Sequence, residues 1–254
     1  MSRPIQSLTR ATAILRLLAG GERRLGLADV ATSLGLAKAT AHGILRTLRE
    51  EGLVEQDPDS GKYQLGAELL RLGHSYLDVH ELRARARLWT DDLAHVSQEA
   101  VHLGVPHQHG VLIVDHVFRP DDSRQALEVG TMQPLHATAL GKVLLAHDPS
   151  LRRNPPGRTC EASTLGSPTD GADVAAEAVL IRERGWAGSM DEAWAGTASV
   201  AAPVHDRPGN VVGTVGVSGP VERICDGGTV RPGLVSAVRD TARAISRDLG
   251  AGSH

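Results

Sequence analysis

Ala31, Gly35 and Ala41 stand four and six residues apart across the join between two helical patterns, and no other feature constrains the fold of this chain more. Two short helices cross closely only where the first presents a small side chain. The turn between them needs a residue that tolerates a left-handed backbone. In the helix before the turn, Leu27, Val30, Ala31 and Leu34 make the apolar stripe. The helix after it runs from about Lys38 to Glu51, with Ala41, Ile44, Leu45 and Leu48 inward and Gly52 beyond its end. Upstream, Leu8, Ala11, Ile14, Leu15 and Leu18 recur at helical spacing until Gly20-Gly21. Downstream, "LVEQDPDSGKYQL" alternates apolar and polar residues on either side of "DPDSG", the signature of a hairpin. Three helices followed by a hairpin is the order of a winged helix-turn-helix. A plain three-helix bundle would give the same periodicity, so the winged reading rests on the hairpin and on the polar face of the third helix.

That face carries Lys38, Ala39, Thr40, His42, Gly43, Arg46, Thr47 and Arg49. In a helix-turn-helix the early residues of the third helix meet base edges, while Lys, Arg and Thr at its ends hold phosphates. A solvated face would carry Glu or Lys at positions 39 and 43, where this chain has Ala and Gly. Gly43 in mid-helix costs roughly 1 kcal/mol relative to Ala, and close approach to a duplex is a reason to bear that cost. Lys62 and Tyr63 in the hairpin are the expected wing contacts, although Tyr63 could also pack on the hairpin itself. Charge points the same way: residues 1–87 hold 13 Lys or Arg against 10 Asp or Glu, a net of +3, and residues 88–254 hold 14 against 20, a net of −6.

At 254 residues two domains are expected. The aromatic fraction of 2% throws packing onto Leu, Val and Ala. No apolar run is long enough to span a membrane, and the first residues lack the apolar stretch of a signal peptide, so a cytoplasmic location is expected. Residues 67–95 read as a linker helix whose apolar residues lie on several sides, which predicts packing against a second copy. Within it, Arg83, Arg85 and Arg87 read as a solvated run. Beyond it, strands are predicted in "AVHLGVPH", "GVLIVDHVF", "RQALEVG", "TASVAAPVHD" and "NVVGTVGVSG". Helices are predicted in "TALGKVLLAH", "ADVAAEAVLIRERG" and "VSAVRDTARAISRDLG". The class is α+β with a mainly antiparallel sheet, and residues 149–171 read as a surface loop.

Together, "LGLAKATAHGILRTLREEGLVEQD", "GKYQLG", "LHATALGKVLLA", "RERGWAGSMDEAWAGTASVAAPV" and "VVGTVGVSGPVERI" resemble the isocitrate lyase regulator (IclR) family of bacterial transcription factors, over nearly the whole chain and in the family's order. Within that family the likeness is to regulators of glycerol catabolism. The resemblance implies a winged helix-turn-helix at 1–66, a linker and dimerisation helix at 67–95, and a GAF-like effector-binding domain at 96–254. It implies homodimers or dimers of dimers on a double-stranded DNA operator, repression of a catabolic operon, and no cofactor. The implied effector pocket draws on Met132, Leu135, Leu140 and Gly141, and on Ser189, Ser199, Gly216 and Ser218. Serines stand at 189 and 199 where relatives carry an acid and a cysteine. The pocket should therefore suit a polyol or a phosphorylated polyol, such as glycerol or glycerol 3-phosphate, better than a small keto acid. At the third helix, Ala39 and Gly43 replace larger donors, which throws base reading onto Thr40, His42, Arg46 and DNA shape.

A metal sensor or a small-molecule enzyme built on the second domain is the alternative. His102, His107, His109 and His116 are close in sequence, yet strand alternation should scatter them, and no carboxylate sits at ligand spacing. Cys160 and Cys225 form no CxxC pair. Gly141-Lys142 lacks the rest of a phosphate loop, so Lys142 is expected to cap or cover the sheet, and Ser199 and Ser218 lack a nucleophile elbow.

Overall fold

The computed structural model describes residues 4–20, 24–78, 81–108, 110–121, 124–147, 164, 166–167 and 171–251. The chain divides into two compact units, residues 1–79 and 80–254.

In the first unit, α1 (Gln6–Gly20), α2 (Leu27–Ser33) and α3 (Lys38–Glu50) precede an antiparallel hairpin of β1 (Val54–Gln56) and β2 (Tyr63–Leu65). Gly35, at φ +62°, closes α2: its N–H donates to Thr32 O and the Leu36 N–H to Ala31 O. Gly52, at φ +71°, closes α3 the same way, through Arg49 O and Leu48 O. Both are left-handed caps that glycine adopts without a Cβ penalty. Ala31 and Ala41 are buried at the crossing, and Ile14, Leu18, Val30, Leu45, Leu48, Val54 and Tyr63 fill the core. Leu8, placed on the inward stripe by its spacing, is 63% exposed. The main chain of Leu25 pairs with Tyr63 in a single antiparallel bridge on the other edge of β2.

The stretch 67–95 contains two helices rather than one: α4 (Ala67–Asp78) in the first unit, and α5 (Glu81–Ser97) in the second. α5 buries Leu82, Ala86, Thr90, Leu93 and Ala94, so it is a wall of the second domain and not a free connector.

The second unit is built on a six-stranded antiparallel sheet in the order β5-β4-β3-β8-β7-β6. The strands are β3 (Ala100–His107), β4 (Gly110–Val117), β5 (Met132–Pro134), β6 (Ala187–Met190), β7 (Thr197–His205) and β8 (Val211–Pro220). One face is covered by α5 and by α9 (Pro232–Asp248), the other by α6 (Ala139–His147) and α7 (Gly171–Arg184). A short helix α8 (Val221–Ile224) and a two-rung hairpin, β9 (Cys225–Asp226) with β10 (Thr229–Val230), join β8 to α9. α6 is buried along its whole length, and its core is shared with Val111, Ile113, Leu135 and Ala201 of the sheet side.

The expected strand "RQALEVG" forms no ladder. Residues 124–128 run without regular structure, Glu128 binds the ring of His116 through its main chain, and pairing with β4 resumes at Met132. β6, "AGSM", had no signal: four small or mixed residues carry neither alternation nor β-branching. Most of the expected loop at 149–171 lies outside the described residues, as does Cys160. Among the described residues no helix is long and apolar enough to cross a membrane.

Candidate DNA-contact face and effector pocket

On α3, Lys38, Ala39, His42, Arg46 and Thr47 are exposed, while Thr40 and Gly43 are half-buried. The helix starts at Ala37 with no side-chain cap and no acid in its first turn, so the main-chain N–H groups there face solvent with Lys38 beside them. Such an end attracts phosphate oxygens. A Cβ at Gly43 would meet no atom within 4 Å, so nothing inside the unit requires glycine there. Thr47 Oγ1 donates back to Gly43 O at 3.2 Å, and Arg46 has only an exposed, long contact of 3.8 Å to Glu50. Arg49 is tied to the wing by a 2.8 Å bond to Gln56 Oε1.

In the wing, Asp57 accepts the N–H and hydroxyl of Ser60, both at 2.8 Å, and pairs with Arg24 Nη1 at 2.6 Å. These bonds hold its carboxyl below the usual range and shape the turn that presents the exposed Lys62. Tyr63 corrects the expectation: it is 5% exposed and packs in the core with Ile14, Leu18 and Val54, so its ring is not a wing contact.

In the second unit a cavity of about 450 Å³ opens between the sheet and the start of α6. Strand register builds its floor. Ser189, Ser199 and Ser218 are partners across β6, β7 and β8, forming one row of hydroxyls, and Gly216 pairs with both Ala201 and His102. Ser189 Oγ and Ser199 Oγ share a 2.7 Å hydrogen bond, and Ser199 Oγ also accepts the Ala139 N–H at 3.3 Å, tying the row to the first turn of α6. A Cβ at Gly216 would lie 2.5 Å from Val200 O, so glycine keeps the floor flat there.

Beside the Ser218 end of the hydroxyl row, on the neighbouring strand, is a group that sequence reading discounted. His102 and His116 are register partners on β3 and β4, stacked with centroids 4.4 Å apart, so the strands gather these rings instead of scattering them. His102 is 3% exposed, with Nδ1 3.4 Å from Ser218 Oγ and Nε2 3.2 Å from Glu128 Oε2. The Nε2 contact is off-line, leaving that buried atom without an aligned hydrogen bond. Proximity to His102 nonetheless holds the Glu128 carboxyl low against the opposing effect of burial. Burial, reinforced by His102, pushes His116 down to about 4, against the pull of Glu128. Its Nδ1 accepts the Glu128 N–H at 3.2 Å, as an unprotonated ring nitrogen must. No group of three or more His, Cys, Asp or Glu among the described residues is arranged to hold a metal ion. His107 is exposed and His109 lies outside the described residues.

Six of the eight expected pocket residues line the cavity: Met132, Leu140, Ser189, Ser199, Gly216 and Ser218. Two do not. Leu135 is 1% exposed in the core beneath α6. Gly141 meets the main chain of residues 134 and 135, where an added Cβ would lie 2.4 Å from Pro134 O, so its role is close packing of the helix on the strand. Sequence reading missed His102, Glu128, Gln133, Thr138 and Trp194, which also line the cavity. Lys142 covers the edge of the sheet, as expected, by donating to β6 at Gly188 O, and it also holds two carboxylates. Its Nζ is buried between Glu192 Oε2 at 2.6 Å and Glu177 Oε2 at 3.0 Å, with Gly188 O at 3.3 Å.

Comparison with known proteins rests on the same two regions. The description "IclR helix-turn-helix domain" matches residues 7–58, and "Bacterial transcriptional regulator IclR C-terminal" matches residues 74–247. The chain belongs to the IclR family. It is 64% identical over 252 residues to the glycerol operon regulatory protein of Streptomyces coelicolor, and equally to that of Streptomyces griseus, covering 99% of both chains in each comparison. An IclR-family regulator from Alicyclobacillus acidocaldarius superposes with a TM-score of 0.83 at 27% identity, covering 98% of this chain and all of that one. IclR proteins are transcriptional regulators, so the winged unit is a DNA-binding head and the cavity sits in the regulatory domain. The enzyme alternative gives way to that family assignment. The Ser218–His102–Glu128 line thus lies in the C-terminal domain of a transcriptional regulator and not in a hydrolase.

Proposed function

We propose that this IclR-family protein is a repressor of a glycerol catabolic operon, and that glycerol or glycerol 3-phosphate in the 450 Å³ cavity sets its hold on the operator. The observation that carries the proposal is the row Ser189–Ser199–Ser218 beside buried His102 and the ionised Glu128. Hydroxyls, an imidazole whose Nε2 has no aligned partner and a carboxylate complement the alternating donors and acceptors of a polyol. The first turn of α6 borders the cavity at Thr138 and Leu140, and its Ala139 and Gly141 N–H groups are donated to the Ser199 and Thr138 hydroxyls, so those hydroxyls are what a ligand oxygen meets there. The name carried by both 64%-identical relatives agrees with that chemistry.

Residues 1–66 read the operator, with Lys38, Ala39, Thr40, His42, Gly43, Arg46 and Thr47 on the duplex and Lys62 at the wing. Residues 67–95, which take in α4 and most of α5, pair one copy with another. Leu70, Leu72, Leu88 and Val96 are 76%, 48%, 81% and 63% exposed, an excess of uncovered apolar surface that a homodimer or a dimer of dimers buries. Effector and DNA then act through linkage: a ligand that prefers one arrangement of the paired sensors shifts the affinity of the paired heads. Footprinting the protein's own upstream region, with and without glycerol and glycerol 3-phosphate, tests this. A palindromic footprint that either compound shifts is expected. Protection insensitive to both, with tight calorimetric binding of glyoxylate or pyruvate instead, overturns the proposal.

A further inference from the structure

We infer that the sensor domain carries a second ligand site, a cleft on the opposite face of the sheet that takes a small phosphate-bearing anion. The cleft, about 480 Å³, lies between the β7–β8 turn and α9. Arg239, Arg243 and Arg247 follow one another at four-residue intervals along the helix, and Arg207 of the turn faces them. Like charges at that spacing repel, so a folded chain that keeps them has something to gain from an anion between them. Arg243 has an exposed partner in Asp240 at 3.1 Å. Arg207, Arg239 and Arg247 have no carboxylate within ion-pair distance among the described residues.

Ser246 and Asp206 of the cleft are engaged within the protein, Asp206 being the one carboxylate among its lining residues, and the His205 ring lies edge-on to His147. Ser246 Oγ donates to Ala242 O at 2.7 Å and accepts the His205 N–H at 2.9 Å. Asp206 accepts the main-chain and side-chain N–H groups of Asn210 at 2.7 and 3.3 Å, which closes the turn. The floor is apolar, from Ala202, Pro203 and Ala242. Four guanidiniums against the single carboxylate of Asp206 leave the lining net positive, and their planar forks match phosphate oxygens two at a time. The concave shape and size are those of small-molecule sites, roughly 300–1,000 Å³, which favours a compact anion over a duplex backbone.

Calorimetry on the full chain with inorganic pyrophosphate, at ionic strength matched with chloride, tests the inference. Saturable binding at one site per chain is expected. The Arg239→Gln/Arg247→Gln variant should bind at least tenfold more weakly, and the corresponding Lys variant, which keeps charge but not the fork, should fall between. On the unmodified protein, pyrophosphate should protect Arg239 and Arg247 from phenylglyoxal, read by peptide mass. No saturable heat, equal affinity in the Gln variant, or no protection overturns the site. A shallower salt dependence of operator binding in the Gln variant would assign these arginines to duplex phosphates and overturn it as well.

Discussion

His116 lies flat against His102, with ring planes 13° apart, and each ring is turned toward Glu128, one through the main-chain N–H and the other through the carboxylate. The pair makes stability depend on pH. Unfolded His116 takes its proton near the ordinary 6.5, whereas the folded ring holds off until about 4. Its contribution is present above 6.5 and is lost as pH falls from there toward 4. Glu128, held below its ordinary value, loses its own contribution lower still, in the carboxylate range. Urea unfolding should show about 1 to 2 kcal/mol less stability at pH 5 than at pH 7. His116→Asn should remove most of that difference; an unchanged slope would count against the stack as its origin.

Ser199→Ala removes both the partner of Ser189 and the acceptor of the Ala139 N–H. Loss of one neutral hydrogen-bonding group in a ligand site costs about 1 kcal/mol, and more where a buried donor is stranded. The expected result is polyol affinity weakened about 5- to 30-fold with stability reduced by about 1 kcal/mol. Titration calorimetry and urea melts measure the two separately. Trp194, half-exposed beside the cavity, offers a fluorescence signal for the same titration.

At Gly43 the open space around the missing Cβ separates folding from reading. Gly43→Ala should stabilise the winged unit by about 0.5 to 1 kcal/mol. Gly43→Arg should fold normally yet select a different operator from a randomised pool. Arg46→Ala should cost about 1 to 3 kcal/mol of operator affinity. A Gly43→Ala variant less stable than the parent would mean the glycine serves the fold instead.

Lys142→Met tests the clamp beside the pocket. Burial already pushes the Glu192 carboxyl up, and the Lys142 ammonium opposes that. Removing the ammonium strands a buried charge, at a cost of about 3 kcal/mol. The Lys142→Met/Glu192→Gln pair should recover most of it in thermal melts. Failure to recover would show that the cost lies in lost packing.

The helices and most of the sheet were legible because their signals are local. Three helices, the hairpin, α6, α7, α9 and four long strands follow from apolar spacing and from glycines such as Gly35 and Gly52. The serine row was legible only through family resemblance, since Ser189, Ser199 and Ser218 become neighbours by register across three strands. His102 and His116 show the limit of alternation arguments. Two residues that alternation would scatter along the chain meet because β3 and β4 pair antiparallel, and the bulge at Leu103/Gly104 shifts the register beyond them. Tyr63, Leu135 and Gly141 are the converse, residues with the right place in a motif whose side chains or contacts face the core. Glu128 and Trp194 lie on irregular segments, where no periodicity announces an orientation.

The break between the compact units falls at residues 79 and 80, with α5 already belonging to the sensor. A recombination event there would inherit a complete reader and a complete sensor, leaving the interior of neither to be rebuilt. A chimera joined there is expected to keep its own sensor while answering to another operator, with each half open to separate redesign.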